Sequence, residues 1–218
     1  MDALETSIHE VLRLPSPAPQ PQALAHDGEH LWLGSWETRR IYGIDPRHGT
    51  VFEETNAPGQ PVVGVSVGDE LRFVLRENGE ANNRFIRRFL PGHGFKDRDV
   101  VPCPDDTGSF LAFDGSHLWL SQRHNRRVLE LDASYAVKRT LEIALAEIVG
   151  IVWVGDALYL SLWYRDERVC RIARVDRAEG STVMPIANVP FAGISLTHDG
   201  MHFWANDFKE NAIVAFTL

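Results

Sequence analysis

Only two of the 218 residues are cysteine, Cys103 and Cys170, and they stand alone without CxxC spacing. That pattern excludes a disulfide framework and a cysteine-based zinc site. Long apolar runs are missing too: no stretch of about 18 apolar residues is present to span a membrane as a helix. The first residues, Met1-Asp2-Ala3-Leu4-Glu5, are acidic and lack the apolar segment of a secretion signal, so a cytoplasmic protein is expected. Basic residues do not dominate. The formal net charge is −8, which disfavours nucleic acid and anionic membranes as partners. Catalytic signatures are lacking as well: there is no GxSxG, GxGxxG, phosphate-binding P-loop or HExxH. The motifs therefore leave open whether the chain is an enzyme.

What the chain does have is a repeat. Asp27-Gly28-Glu29-His30-Leu31-Trp32-Leu33 returns in changed form at Gly68 to Phe73, Asp114 to Leu120, Gly155 to Leu160 and Asp199 to Ala205. The turn glycines Gly28, Gly68, Gly115, Gly155 and Gly200 recur about every 43 residues, a period typical of four-stranded propeller blades. Each period reads as a small apolar strand, a Gly/Asp turn, an aromatic-rich second strand, a polar loop and an alternating third strand. A more polar fourth strand follows. The small strands are Ala23–His26, Val63–Ser66, Phe110–Phe113, Gly150–Trp153 and Ser195–His198, and their small residues suit the crowded axis.

The chain stops at Leu218, after the third strand of the fifth period. Its missing fourth strand is available as Ser7 to Leu14, which alternates and precedes the first inner strand. The expectation is one all-β domain over residues 1–218: a five-bladed β-propeller with four antiparallel strands per blade. The N-terminal strand closes the ring and so removes an open edge. The prolines at 15, 17, 19 and 21 then form the first outer-to-inner crossing.

Two loop sets share one propeller face and surround the channel mouth. Concave openings of this kind favour ligands. The ligand-binding candidates there are Trp36, Arg76, Arg123, His124, Trp163 and Asp207. Glu37, Glu77, Tyr164 and Lys209 belong to the same loops, and Gln22, Gln60, Asp106, Glu147 and Asn188 are expected from the loops entering the inner strands. His30, His117 and His202 are repeat equivalents spread around a ring, which suits capping of their own turns better than one shared ion. His26 and His198 fall in neighbouring blades; burial with local hydrogen bonding is favoured for them over acting together on a ligand. Arg40, Arg84, Arg127 and Arg168, with Asn211 in the fifth blade, read as a repeated start of strand three, with local bonding favoured over an anion-binding ring. Trp32, Trp119, Tyr159 and Trp204 read as core between blades.

The stretches LWLGSWETRRIYGIDPRHG (Leu31 to Gly49) and DGSHLWLSQRHNRRVLELD (Asp114 to Asp132) resemble the repeat of streptogramin lyase-like propellers. More loosely they resemble SMP-30/gluconolactonase and glutamine cyclotransferase-like repeats. The resemblance covers nearly the whole chain and lies in blade consensus residues. Those families commonly have six or seven blades, so five is a departure. The glutamate of the lyase-like Thr-Glu-Trp is replaced by Ser35, Leu75, Gln122, Leu162 and Asp207. A lactonase-like divalent metal site would need a Glu, Asn residues and an Asp at the axis. Asn206 and Asp207 match part of that pattern, and Glu147 is the candidate acid. Apart from such an ion, no cofactor is expected. Three functions remain: a binder of small polar or aromatic molecules at the mouth, a metal-assisted lyase or lactonase-type hydrolase, or a protein-interaction scaffold.

Overall fold

The computed structural model describes residues 6–77, 83–177 and 182–218, the side chain of Asp97 aside. Strand β1 (His9–Pro15) opens the chain. Blade one is β2 (Pro21–His26), β3 (Leu31–Ser35), β4 (Arg40–Ile44) and β5 (Val51–Asn56). Blade two is β6 (Gln60–Val67), β7 (Glu70–Arg76), β8 (Arg84–Leu90) and β9 (Gly94–Pro102). Blade three is β10 (Leu111–Phe113), β11 (Leu118–Gln122), β12 (Arg127–Leu131) and β13 (Val137–Glu142). Blade four is β14 (Glu147–Val154), β15 (Ala157–Tyr164), β16 (Val169–Asp176) and β17 (Met184–Val189). Blade five is β18 (Gly193–His198), β19 (Phe203–Asp207) and β20 (Ala212–Thr217), completed by β1. The loop expected at Glu77 to Asn83 lies mostly outside the described residues.

Each sheet runs antiparallel from an apolar inner strand to a polar outer one. The five inner strands touch in a ring, β2 to β6 to β10 to β14 to β18 and back to β2. Their small residues permit that approach. A Cβ on Gly150 would lie 2.8 Å from the backbone carbon of Ser195 in the next inner strand. One on Gly34 would meet Pro61 of blade two at 2.5 Å. Larger side chains at either point would force blades apart.

Closure is made by the two ends of the chain. The ladder β1–β20 runs from His9 opposite Thr217 to Pro15 opposite Ala212, with a bulge at Val11. Just before β1, the Ile8 amide donates to the Asn188 carbonyl at 3.0 Å, so the N-terminal segment also touches the outer strand of blade four. Residues 16–20 then make the proline-rich crossing into β2.

The aromatic ladder is core between blades. Trp32 of blade one meets Phe89 of blade two at 5.3 Å, Trp119 of blade three meets Trp153 of blade four at 5.2 Å, and Tyr159 meets Phe203 of blade five at 5.0 Å. Trp204 packs with Leu24 and Leu31 of blade one across the closing seam.

The repeated turn has one chemistry in blades one, three and five. Aspartate, not histidine, caps it. Asp27 Oδ1 accepts from the Glu29 and His30 amides, and Oδ2 accepts from the Trp32 indole at 2.6 Å. Asp114 does the same for Ser116, His117 and Trp119, and Asp199 for Met201, His202 and Trp204. The histidine contributes its amide, because the carboxylate reaches two and three residues ahead as in other Asx turns. A single carboxylate thereby ties the turn to the tryptophan that holds the next blade. Blades two and four replace this with the tight pairs Gly68-Asp69 and Gly155-Asp156 between longer strands. Burial opposes the charge on Asp199, but the hydrogen bonds outweigh it and bring its carboxyl from an ordinary 3.8 to about 2.

Two outcomes are expected. Deleting residues 1–14 removes the ladder on β20 and abolishes cooperative melting; a truncated chain that melts with the full chain's cooperativity would contradict closure. The low Asp199 value means that its contribution is fully present above 3.8 and is lost as pH falls toward 2. Asp199→Asn therefore lowers stability at neutral pH by about 1–3 kcal/mol. It also flattens the acid decline, both readable from melting curves at stepped pH.

Candidate functional site

Five register pairs build the rim that the sequence selects as the mouth. They are Pro21 opposite Ser35, Gln60 opposite Arg76, Leu111 opposite Leu120, Glu147 opposite Trp163, and Gly193 opposite Asp207. The structure brings the candidates onto this face in three separate groups rather than one.

Blades three and four form the first group. Glu147 is almost fully buried at the start of its inner strand. Arg123 donates to its Oε2 from Nε at 2.8 Å, and Arg165 donates to its Oε1 from Nε at 2.9 Å. Burial opposes the charge on Glu147, but the two guanidiniums hold its carboxyl below the ordinary range. Beside it opens a cleft of about 220 Å³ lined by Ala146, Glu147, Trp163, Tyr164 and Arg165. Trp163 is half-buried there. His124 is exposed in the loop between β11 and β12.

The second group joins blades one and two. Trp36, half-buried after β3, faces two guanidinium groups, Arg76 at 5.6 Å and Arg84 at 5.9 Å from its ring. Arg76 and Arg84 stand directly opposite each other on β7 and β8.

The third group is structural in its bonding. Asp207 is buried, and its Oδ2 accepts from Arg13 of β1 at 3.0 Å while Oδ1 accepts from the amides of Lys209 and Glu210. Asn206 points the other way, as neighbours on a strand must, and donates to the Ala23 carbonyl of blade one at 3.3 Å. Of the three metal candidates, Glu147 is thus engaged by arginines, Asp207 by the closing strand and Asn206 by blade one. Among the described residues no three His, Cys, Asp or Glu cluster as a metal site.

Two alignments read from the repeat are corrected. Asn188 lies on the outer strand β17 and accepts from Arg171 at 3.2 Å, so it belongs to no entering loop. Strand three of blades four and five starts at Val169 and Ala212, so Arg168 and Asn211 precede it rather than start it. Arg168 and Asn211 are therefore equivalent to Arg39 and Arg126, and all four take the positive φ that the hairpin requires. The strand-start arginines are only Arg40, Arg84 and Arg127, and they form no ring. Arg40 bonds Asn56 and Glu54 within its own blade, and Arg127 bonds Gln122 of its blade and Asp105 of the connection entering it. His26 and His198 are neighbours across the seam, and each turns its Nδ1 to its own hairpin, accepting from Gly28 and Gly200. Burial pushes both imidazoles below their ordinary pKa.

A larger cleft, about 490 Å³, opens on the opposite, hairpin face between blades one and five, lined in part by Val11, His26, Met201 and Trp204. Sequence reasoning missed it because its lining joins residues from opposite ends of the chain, Val11 and Trp204, which meet only where β1 completes blade five. Both cysteines are buried and free; burial raises Cys103 to about 12 and Cys170 to about 11, so neither is a ready nucleophile.

No family model matches the chain, and no curated protein matches it. Among solved structures it is similar to glutaminyl cyclase from Myxococcus xanthus, with a TM-score of 0.68 at 9% identity over 97% of this chain and 96% of that one. A catalytically inactive virginiamycin B lyase from Staphylococcus aureus, solved with quinupristin, gives 0.59 at 15% identity over 93% and 83%. A PQQ-bound aldose sugar dehydrogenase from Streptomyces coelicolor gives 0.58 at 11% over 99% and 82%. The likeness is one of fold. The lyase-like resemblance of the repeats thus has its counterpart in three dimensions, while the neighbours differ in chemistry.

Replacing Glu147 by Gln leaves Arg123 facing an amide and costs about 1–3 kcal/mol. The loss grows at low salt and is read from chemical denaturation; an unchanged midpoint would show the triad to be loosely held.

Proposed function

We propose that this propeller binds a small polar or aromatic molecule at the mouth face. The observation that carries the reading is the pair of half-buried tryptophans, Trp36 and Trp163, each set beside fixed charge. Indole faces held next to guanidinium and carboxylate groups offer stacking and orientation together. Arg123, held by Glu147 beside the cleft between blades three and four, supplies a positioned donor. His124 adds an exposed imidazole nearby, and Asp207 shapes the rim through Arg13 rather than facing ligand itself. Fold analogy lends support, since the lyase with quinupristin and the PQQ-bound dehydrogenase are propellers that hold small molecules. A metal-assisted lyase or hydrolase would require Glu147 to release two arginines. A cytoplasmic setting agrees with two free thiols, Cys103 and Cys170. Among the described residues no helix is long and apolar enough to cross a membrane.

The test is a thermal-shift panel of small polar and aromatic metabolites, with divalent ions in a parallel arm. At a concentration about a hundredfold above Kd, a true ligand stabilises by about 2.7 kcal/mol. That shift is expected to shrink in Trp36→Ala or Trp163→Ala. A panel that leaves the melting temperature unmoved throughout would remove the small-ligand reading and favour the scaffold.

A further inference from the structure

The cleft between blades one and five lies on the face opposite the mouth. Its volume, about 490 Å³, falls in the range of small-molecule sites. Val11 and Leu12 of β1, with Met201 and Trp204 of blade five, give it apolar walls. Val11 and Met201 are 48% and 74% exposed, so those walls stand open to solvent. Most polar groups in the lining are already used. Asp199 Oδ1 accepts from the amides of Met201 and His202, and Oδ2 accepts from the Trp204 indole at 2.8 Å. His202 Nδ1 lies 3.3 Å from the same Oδ2. A carboxylate only accepts, so this Nδ1 carries a hydrogen, and the neutral ring presents Nε2 as an acceptor. On the blade-one side, His26 is only 9% exposed, and its Nδ1 accepts from the Gly28 amide at 3.1 Å. That ring is therefore neutral, with its hydrogen on Nε2. Burial pushes the imidazole below its ordinary pKa, which favours the same form. Neither Nε2 has a hydrogen-bond partner among the described residues. Glu29 and Arg47, both exposed in the lining, supply one charge of each sign, so the edge selects for neither. What is left unmet is one neutral donor from blade one and one acceptor from blade five, among apolar walls.

We propose that this cleft is a second ligand site, taking an uncharged aromatic molecule that bears a hydroxyl group, with His26 Nε2 as donor and His202 Nε2 as acceptor for its polar end. A hydroxyl suits both imidazoles because it offers one hydrogen and two lone pairs, and a flat ring covers the apolar walls. The site does not depend on the mouth-face reading. Because its lining comes from both blades of the seam, a bound molecule would also stabilise ring closure.

The experiment is calorimetric titration of the full chain with 2-naphthol, 2-methoxynaphthalene and 2-naphthoate, repeated with Val11→Asp, His26→Asn and Trp163→Ala. 2-Naphthol is expected to bind about tenfold more tightly than 2-methoxynaphthalene, which cannot donate, the difference expected from one hydrogen bond. It should also bind more tightly than the charged 2-naphthoate. In His26→Asn the shorter amide still accepts from Gly28 but has no Nε2–H, and the affinity for 2-naphthol should fall by about tenfold. Val11→Asp sets a charge in an exposed apolar wall and should cost at least as much. Equal affinity for 2-naphthol and 2-methoxynaphthalene, tighter binding of 2-naphthoate, or unchanged 2-naphthol affinity in His26→Asn or Val11→Asp would each overturn the proposal. Should His26→Asn fail to fold, Val11→Asp at its exposed position carries the comparison, with the same outcomes. Affinity lost in Trp163→Ala and kept in Val11→Asp would place the probe at the mouth, ending the second site while supporting the mouth-face reading. No binding of 2-naphthol would likewise end the second site.

Discussion

The ladder between β1 and β20 is the constraint on which everything else rests. A propeller blade is stable only when each face is covered by a neighbour, and the ring has neighbours all round only if it closes. Here the last blade lacks its outer strand until the first residues of the chain supply it. Arg13 strengthens that seam, reaching Asp207 of blade five and lying over the Phe191 ring at 5.5 Å. Polar links add to it on the inner side, where the His26 amide donates to Thr197 and Asn206 donates to Ala23. Asp207, which reads as a binding or metal residue in the sequence, is thereby drawn into closure. Its use there follows from geometry: the end of β19 is where the returning N-terminal strand passes.

A repeated fold separates structure from function in a simple way. Positions that do the same job in every blade are set by the blade. The aspartate cap shows this, with the same acceptors and donors in blades one, three and five. Function is to be sought where copies differ, and two differences occur at the rim. Glu147 collects arginines from its own blade and the one before. Among the described residues Arg84 bonds no carboxylate as its repeats do; its Nη1 is buried without a hydrogen-bond partner and its guanidinium lies over Trp36.

Much of the blade pattern was legible because it is local. Asp-Gly turns, alternation and small inner residues each act over a few positions, and all agree on strand order. The strand-three arginines went astray by one residue in blades four and five because a positive-φ residue and a strand-start residue look alike when both are arginine. The histidines were legible as turn residues, yet the cap itself belongs to aspartate, since only a carboxylate reaches two amides and the indole at once. Asn188 was misplaced because strand four of blade four, Met184–Val189, is more apolar than the polar outer strand the other blades lead one to expect.

The sequence by itself determined the number of blades, the order of strands within them and the closing role of the N-terminal segment, because periodicity and edge pairing follow from local pattern and chain length. The tertiary structure alone decided which charges meet. Arg123 and Glu147 are 24 residues apart, and Arg13 and Asp207 are 194 apart. Such pairs form at angles and distances set by how blades twist and pack around the axis, and no local signal encodes them.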